Sequence, residues 1–485
     1  MFTSTRKQLK LNEFECIIKG LSDDGGLFIC NNFNDFILEE RYVTFDYNEL
    51  TYVILKYFFK SFSNTDLLEI IYSAYNNKNF ENKMVGVKNI DSNLSFLELY
   101  HGPTIAFKDM ALTILPYLMK YSKKNVKNDK QTLILTATSG DTGGACLSGF
   151  RNVDKTKIIV LYPTEGVSKF QEKQMHYYTS ENAKAIAIKG NFDDCQNLVK
   201  KIFNSNLKLN NIELSSANSI NIGRLVPQIV YYFYSYFELV RKQEINYGDK
   251  INFVVPTGNF GNILACYISK EMGLFIDKIV CASNENSVLT DFFNTLTYNK
   301  NREFIQTNSP SMDILISSNL ERLLYLISDY DQNLVNEMMN SLKETGIFKL
   351  PSKFKERLNS FLVSSIDKQK TVELIEKCYN DHQYLIDPHT AVAYGAYLNL
   401  YDKLQGKTVV VSTASPYKFL ETVNQVFNIN KEGLELVKQI KEITKVDYPN
   451  SLEEIYNKEI NKIVWTKENM EQNIIKMIGE LDESC

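Results

Sequence analysis

The sequence predicts an α/β protein: two open, mostly parallel α/β domains with a ligand cleft between them, plus a mainly helical N-terminal domain. Three observations predict it. Short β-branched apolar runs recur beyond residue 95, they end in small polar residues, and helix-like segments follow them. Runs that stay apolar throughout belong to strands buried on both faces, as in parallel sheets covered by helices. Length agrees, since 485 residues exceed a single core and an apolar content of 44% can fill several.

Residues 1–92 read as a mainly helical capping domain, with a turn at Asp23-Asp24-Gly25-Gly26 and an aromatic-rich helix over 48–62. Residues 93–245 read as the first α/β domain. There Thr132-Leu133-Ile134-Leu135-Thr136-Ala137-Thr138 runs into Ser139-Gly140-Asp141-Thr142-Gly143, and Lys157-Ile158-Ile159-Val160-Leu161-Tyr162 stops at Pro163. Pro116 predicts a kink in the helix after Lys108. Residues 225–241, with Ile229, Tyr232, Phe233, Tyr236, Phe237 and Val240 at helical spacing, read as a core helix at the domain boundary.

Residues 246–427 read as the second α/β domain. Its strands are Ile251-Asn252-Phe253-Val254-Val255, Lys278-Ile279-Val280-Cys281-Ala282 and Lys407-Thr408-Val409-Val410-Val411, with a long helical pattern over 314–330 between the last two. Residues 428–485 read as a charged, helical C-terminal extension. No 20- to 50-residue repeat and no low-complexity linker interrupts this plan.

Composition narrows the function. A net charge of -4 provides no global field for nucleic acid. The eight cysteines lack CxxC spacing and read as reduced thiols, and the four histidines form no metal-ligand pattern. The first residues lack the features of a signal peptide, and no stretch approaches ~18 consecutive apolar residues. A soluble, cytoplasmic protein with no membrane contact is the expectation.

The chemistry gathers at strand ends and turns. Lys108, in Leu99-Tyr100-His101-Gly102-Pro103-Thr104-Ile105-Ala106-Phe107-Lys108-Asp109-Met110, follows a turn and sits among apolar residues that disfavour its charged form. For a lone lysine the ordinary reading is a stem snorkelling along apolar surface. Gly258-Asn259-Phe260-Gly261-Asn262, between a strand and a helix, has the glycines and free N–H groups of a phosphate cradle, or of an ordinary strand-to-helix turn. It matches neither GxGxxG nor GxxxxGK[ST], which favours a monophosphate over a dinucleotide.

Ser139 and Thr142, with the surrounding N–H groups, suit a carboxylate; otherwise Ser139, Asp141 or Thr142 is a helix cap. Thr413, at the end of the last strong strand, can hydrogen-bond a heterocycle nitrogen. Arg224, beside Asn218 and Ser219, suits a phosphate or carboxylate, with a surface salt bridge as its ordinary reading. A Schiff-base lysine, a cradle for one phosphate and partners for a ring nitrogen and ring hydroxyl are together the needs of pyridoxal 5′-phosphate.

At this point the sequence resembles the threonine synthase family, in the tryptophan-synthase-β-like, fold-type II class of pyridoxal-phosphate enzymes. The resemblance rests on Phe2-Thr3-Ser4-Thr5-Arg6, Gly25-Gly26-Leu27-Phe28, the run around Lys108, Ser139-Gly140-Asp141-Thr142-Gly143, Phe192-Asp193-Asp194-Cys195-Gln196 and Asn218-Ser219-Ile220-Asn221. It continues through residues 256–262, Ser309-Pro310-Ser311-Met312-Asp313 and Ser412-Thr413-Ala414-Ser415-Pro416-Tyr417-Lys418-Phe419, so the motifs appear in order over most of the chain. Many members read Thr-Ala-His-Pro where this chain has Ser415, which leaves the role of that position open.

The resemblance implies Lys108 as the Schiff-base lysine, the loop Gly258, Asn259, Phe260, Gly261 and Asn262 as the cofactor-phosphate site, Thr413 as the ring-nitrogen partner and Asp141 near the ring hydroxyl. It places Ser139 and Thr142 at the substrate carboxylate, and Asn218, Ser219 and Arg224 at the substrate phosphate. The implied reaction takes O-phospho-L-homoserine and water to L-threonine and phosphate, the last step of threonine biosynthesis. Lys108 moves the protons, phosphate leaves from the γ-carbon and water adds at the β-carbon. The alternatives are a phospho-lyase releasing 2-oxobutyrate from the same substrate, a serine or threonine ammonia-lyase, and a non-catalytic binding protein. A monomer or homodimer is expected.

Overall fold

The computed structural model describes residues 1–81, 83–205 and 207–483, so Cys485 lies outside the described residues. Two sheets carry the architecture. The larger has the strand order Phe361–Ser365, Ile276–Ser283, Ile251–Pro256, Thr408–Ser412, Leu94–Glu98, Gly86–Asn89, parallel except for the antiparallel last strand. The smaller runs Ile463–Thr466, Ala183–Lys189, Thr156–Pro163, Gln131–Ala137, Ile212–Ser215 and is parallel throughout.

The apolar runs read from the sequence are the inner strands. Every residue of Ile251–Pro256 and of Thr408–Ser412 is buried, as strands covered on both faces require. The helix Ile222–Arg241 between the two groups is buried on nearly all sides. Residues from both sheets join it in one continuous apolar core, with Ile134 and Ile158 from the smaller and Phe253 and Val255 from the larger.

The strands do not follow the expected bounds at 93 and 428. Leu94–Glu98 joins the larger sheet beside Thr408–Ser412 and carries Gly86–Asn89 on its outer edge, and Ile463–Thr466, within the expected helical C-terminal extension, extends the smaller sheet beside Ala183–Lys189. Chain proximity suggested the division, but pairing between distant segments sets it. Within residues 1–81 the helices Glu13–Lys19, Tyr47–Phe58 and Asn64–Ala74 dominate, the first two opened by capping boxes at Asn12 and Asp46. The expected turn holds Gly25 at φ 77°.

Two helix expectations are corrected. Pro116 kinks nothing: one helix ends at Leu112, another spans Leu115–Asn125, and Pro116 sits in the new first turn, where a missing N–H is tolerated. The pattern over 314–330 forms only the helix Leu320–Ile327. Upstream of it, Ser317 and Asn319 bond the carbonyls of Gly258 and Asn259, so tertiary contacts override helical periodicity there.

Candidate active site

Loops at the carboxyl ends of the parallel strands converge on Lys108, the location expected for a ligand site in open α/β sheets. The turn before Lys108 is clasped to the end of Thr408–Ser412. Leu99 N–H donates to the Ser412 carbonyl at 3.0 Å, Phe107 N–H to the Thr413 carbonyl at 2.8 Å, and Ser415 N–H to the Ile105 carbonyl at 3.0 Å. This sets Thr413 and Lys108 on neighbouring backbones. It also holds Ile105 at φ 52°, a left-handed conformation that a β-branched residue adopts only under constraint. Ser415 acts through this clasp and by capping Tyr417 N–H at 3.3 Å.

Lys108 Nζ lies 3.4 Å from Asp141 Oδ2 and 3.4 Å from Ser311 Oγ, with its side chain 11% exposed. Asp141 also accepts from Gln171 Nε2 at 2.8 Å and from the Ser311 hydroxyl. Lys418 Nζ, wholly buried, stands 3.6 Å from Asp141 Oδ1 and donates to Gln174 Oε1 at 2.7 Å and the Thr104 carbonyl at 2.8 Å. Burial opposes ionisation of Asp141, but Lys108 and Lys418, with the Ser311 hydroxyl, outweigh it and hold the carboxyl well below the usual range. Burial in turn pushes Lys418 down, against Asp141 and Asp109.

Asp109 organises the turn: Thr104 N–H and Oγ1–H donate to its two carboxylate oxygens at 2.8 and 2.6 Å. Burial raises its pKa to about 6 despite those bonds and the Lys418 charge. Ser311 is fixed from behind by His389, whose Nε2 accepts the Ser311 N–H at 3.2 Å while Nδ1 lies 2.7 Å from Asp387 Oδ2.

The Gly258 to Asn262 loop sits beside the same Ser311, so close that a Cβ on Gly258 would stand 2.7 Å from the Ser311 carbonyl oxygen. Phe260 turns at φ 64° into the helix Gly261–Glu271, whose first-turn N–H groups have no intrahelical acceptors. Asn262 is buried and its Oδ1 accepts the Tyr232 hydroxyl at 2.7 Å and the Tyr231 hydroxyl, while its Nδ2 has no partner. A buried donor left open beside free helix-start amides fits an anion, and the phosphate of pyridoxal 5′-phosphate suits that donor set.

The Ser139–Gly143 turn is capped by none of the three side chains expected for it. The Thr138 hydroxyl accepts from Gly140 N–H at 3.0 Å and Gly143 N–H at 2.9 Å. That leaves Ser139 exposed and Thr142 partly exposed. Asn218 is exposed and accepts from Thr136 Oγ1 at 3.4 Å, while Ser219 accepts at its carbonyl from Asn319 Nδ2 at 3.2 Å.

Arg224 is not in a surface salt bridge. It is buried, donates from Nη1 to the Ala217 carbonyl at 2.6 Å, and leaves Nε without a partner. No carboxylate pairs with it among the described residues, and burial lowers its pKa. Arg224 and Lys108 both act on the Cys146 thiol, countering part of the burial that pushes it up to about 11. The loop before Arg224 lies against the Gly258 to Asn262 loop, since Asn319 Nδ2 donates to the carbonyls of both Ser219 and Asn259.

Sequence patterning alone assigns no site role to Lys418, Ser311, Asp387, His389, Gln171 or Asn319. Lys418 alone carried a signal, an aromatic on either side like the apolar setting that marked Lys108.

Comparison with known proteins identifies the family. A model of pyridoxal-phosphate dependent enzymes matches residues 85–415, and one of the threonine synthase N terminus matches residues 1–75. The threonine synthase of Saccharomyces cerevisiae is 36% identical over 445 residues, covering 85% of this chain and 86% of its own. The chain belongs to the threonine synthase family of pyridoxal-phosphate-dependent enzymes.

The human protein Threonine synthase-like 1 is 37% identical over 442 residues, covering 86% of this chain, and the chain spans only 58% of that relative's length. A crystal structure of pyridoxal-phosphate-bound threonine synthase from Brucella melitensis superposes with a TM-score of 0.88 at 32% identity, covering 99% of this chain and 98% of that one. Among the described residues no group of histidine, cysteine or acidic side chains could hold a metal, and no helix is long and apolar enough to cross a membrane.

Proposed function

We propose that this member of the family converts O-phospho-L-homoserine and water to L-threonine and phosphate, with pyridoxal 5′-phosphate as cofactor. The observation that carries the reading is a pair of anion-ready groups around one lysine. One is the helix start at Gly261 with the open Asn262 Nδ2, and the other is the buried, acid-free Arg224. A phosphorylated cofactor and a phosphorylated substrate occupy both, with the substrate carboxylate at Ser139 and Thr142; an ammonia-lyase acting on serine or threonine has no second phosphate to place.

When bound, the cofactor supplies an electron sink for a carbanion at the substrate's α-carbon. Lys108 Nζ takes the α-proton and redistributes protons along the carbon chain as phosphate leaves and water enters. Asp141 and Ser311, both on Nζ, keep the amine aimed and lend a hydroxyl through which a proton can move. The Gly258 to Asn262 loop binds the cofactor phosphate, and Thr413 is the group offered to the ring nitrogen. Ser139 and Thr142 take the substrate carboxylate, and Asn218, Ser219 and Arg224 its phosphate. The burial of Lys418 and near-burial of Lys108 support a site that excludes stray water.

The seven described cysteines are free thiols, which supports the cytoplasm as location. Product analysis with O-phospho-L-homoserine tests the reading: L-threonine with one equivalent of phosphate is expected, and 2-oxobutyrate would overturn it in favour of a phospho-lyase. Borohydride reduction followed by peptide mapping should place a pyridoxyl group on Lys108, and Lys108→Ala should lower turnover at least about 1000-fold.

A further inference from the structure

The two anion loops follow strands of different sheets, Ile212–Ser215 in the smaller and Ile251–Pro256 in the larger. Asn319 touches both. Its Nδ2 donates to the Ser219 carbonyl at 3.2 Å and to the Asn259 carbonyl at 3.1 Å, and its backbone N–H donates to the Asn259 carbonyl at 3.1 Å. Asn319 Oδ1 accepts from Arg322 Nη1, whose Nη2 donates to the Ile220 carbonyl, the residue after Ser219. Arg322 Nε completes the set by donating to the Phe28 carbonyl at 3.0 Å.

Both side chains are 0% exposed. An arginine so buried, spending its donors on two backbone carbonyls and an amide, is costly to keep, and burial lowers its pKa to about 9. The N-terminal segment closes over the same helix: Glu321 accepts from Arg6 Nη2 at 2.7 Å and Nε at 2.8 Å, and from the Thr5 hydroxyl. Glu321 is thus committed to Arg6, and Arg322 to the loops.

We infer that Asn319, held by Arg322, is a positioning residue that ties the cofactor loop to the substrate loop, so that an anion bound at either one orders the other. The inference rests on the proposed roles of those loops. Physically, one amide group shared by two carbonyls makes their positions mutually dependent. The ordering cost met by the first anion is then not charged again to the second, and the coupling is reciprocal.

The test uses full-length holoenzyme, in which the cofactor loop is filled and inorganic phosphate is the probe for the substrate loop. Cofactor release, followed by loss of the visible absorbance band, should slow about tenfold at saturating phosphate. Asn319→Ala should reduce that ratio to one. Ser317→Ala, which frees only the Gly258 carbonyl now bonded at 2.8 Å, should speed release while keeping the ratio. Hydrogen exchange on the unaltered protein gives a readout independent of any variant: loading pyridoxal 5′-phosphate should protect the amides of residues 218–221.

A wild-type ratio of one with phosphate demonstrably bound by calorimetry would overturn the clasp and leave the functional reading intact. So would a ratio unchanged by Asn319→Ala, or amides at 218–221 indifferent to cofactor. Failure of the holoenzyme to bind phosphate at all would instead overturn the second anion site, and the clasp with it.

Discussion

Lys108 Nζ and Asp141 Oδ2 stand 3.4 Å apart in a site where Asp141 is the shared counter-charge of two lysines. Its folded-state pKa lies below its unfolded value, which is ~3.9. The stabilisation from its ionised form is therefore present above about pH 4 and is lost as pH falls toward the folded value. Asp141→Asn should cost about 3 kcal/mol at neutral pH, the effect of removing one partner from a buried ion pair. Thermal unfolding from pH 3 to 8 checks this, and the gap to wild type should narrow below about pH 4. A gap that does not change with pH would rule out charge as its source.

Lys418 belongs to the same charge cluster, since both it and Lys108 face Asp141. Lys418→Met alone should destabilise by about 3 kcal/mol, because it removes one of the two buried counter-charges of Asp141 and leaves Gln174 Oε1 without its buried donor. Combined with Asp141→Asn, the loss should fall short of the sum by about 1–2 kcal/mol, as expected for residues in one network. A denaturant-based double-mutant cycle reads this directly, and strict additivity would mean that the two do not interact.

Asp109 has the opposite sign. Its pKa rises to about 6 in the fold, so between about pH 4 and 6 the folded state holds a proton that the unfolded chain has released. Its contribution to stability is present at low pH and declines as pH rises through that window. Asp109→Asn removes the titration and keeps a group able to accept from Thr104. The melting temperature of the variant should therefore gain on wild type from pH 4 to 6, and parallel curves would contradict the assignment.

The loops of the site were legible because each follows a strand whose end is marked by small residues, as at Thr138-Ser139-Gly140 and Pro256-Thr257-Gly258. What folds against them was not. Ser311 reaches Asp141 across 170 positions, a pairing no local pattern encodes. The same limit explains the strands: Ile463–Thr466 is four residues long in a charged segment, and only its partner Ala183–Lys189 makes it a strand. Arg224 stood out in the sequence as a candidate anion partner by type and neighbours, while its isolation from every described carboxylate required the fold.

That isolation separates function from stability at Arg224. A buried cation without a counter-charge carries a desolvation cost that a methionine of similar length does not. Arg224→Met gives up the Nη1 bond to the Ala217 carbonyl together with that desolvation cost, so the melting temperature should stay near wild type, while the KM for O-phospho-L-homoserine rises at least about tenfold, equivalent to 1.4 kcal/mol. Cofactor affinity should hold. An unchanged KM would remove Arg224 from the substrate site.

Gly258 offers the most direct probe of the proposed cofactor loop. A Cβ there would lie 2.7 Å from the Ser311 carbonyl oxygen and 3.4 Å from Met312 Cα, both backbone atoms that cannot swing aside as a side chain would. Ser311 cannot retreat freely, because its N–H is bonded to His389 Nε2 at 3.2 Å and its hydroxyl to Asp141. The strain must therefore fall on the glycine loop, whose exit at Phe260 already turns through φ 64° to aim the helix-start amides. Overpacking of this kind costs about 1–3 kcal/mol. Taken up by the loop, that cost should weaken pyridoxal 5′-phosphate binding by about tenfold or more, measured from cofactor dissociation. Gly261 is the internal control, since the nearest atom to a Cβ there is Asn319 Nδ2 at an ordinary 3.5 Å. Gly258→Ala should lose cofactor faster than Gly261→Ala, and the reverse order would mean that the contact with Ser311 does not set the loop.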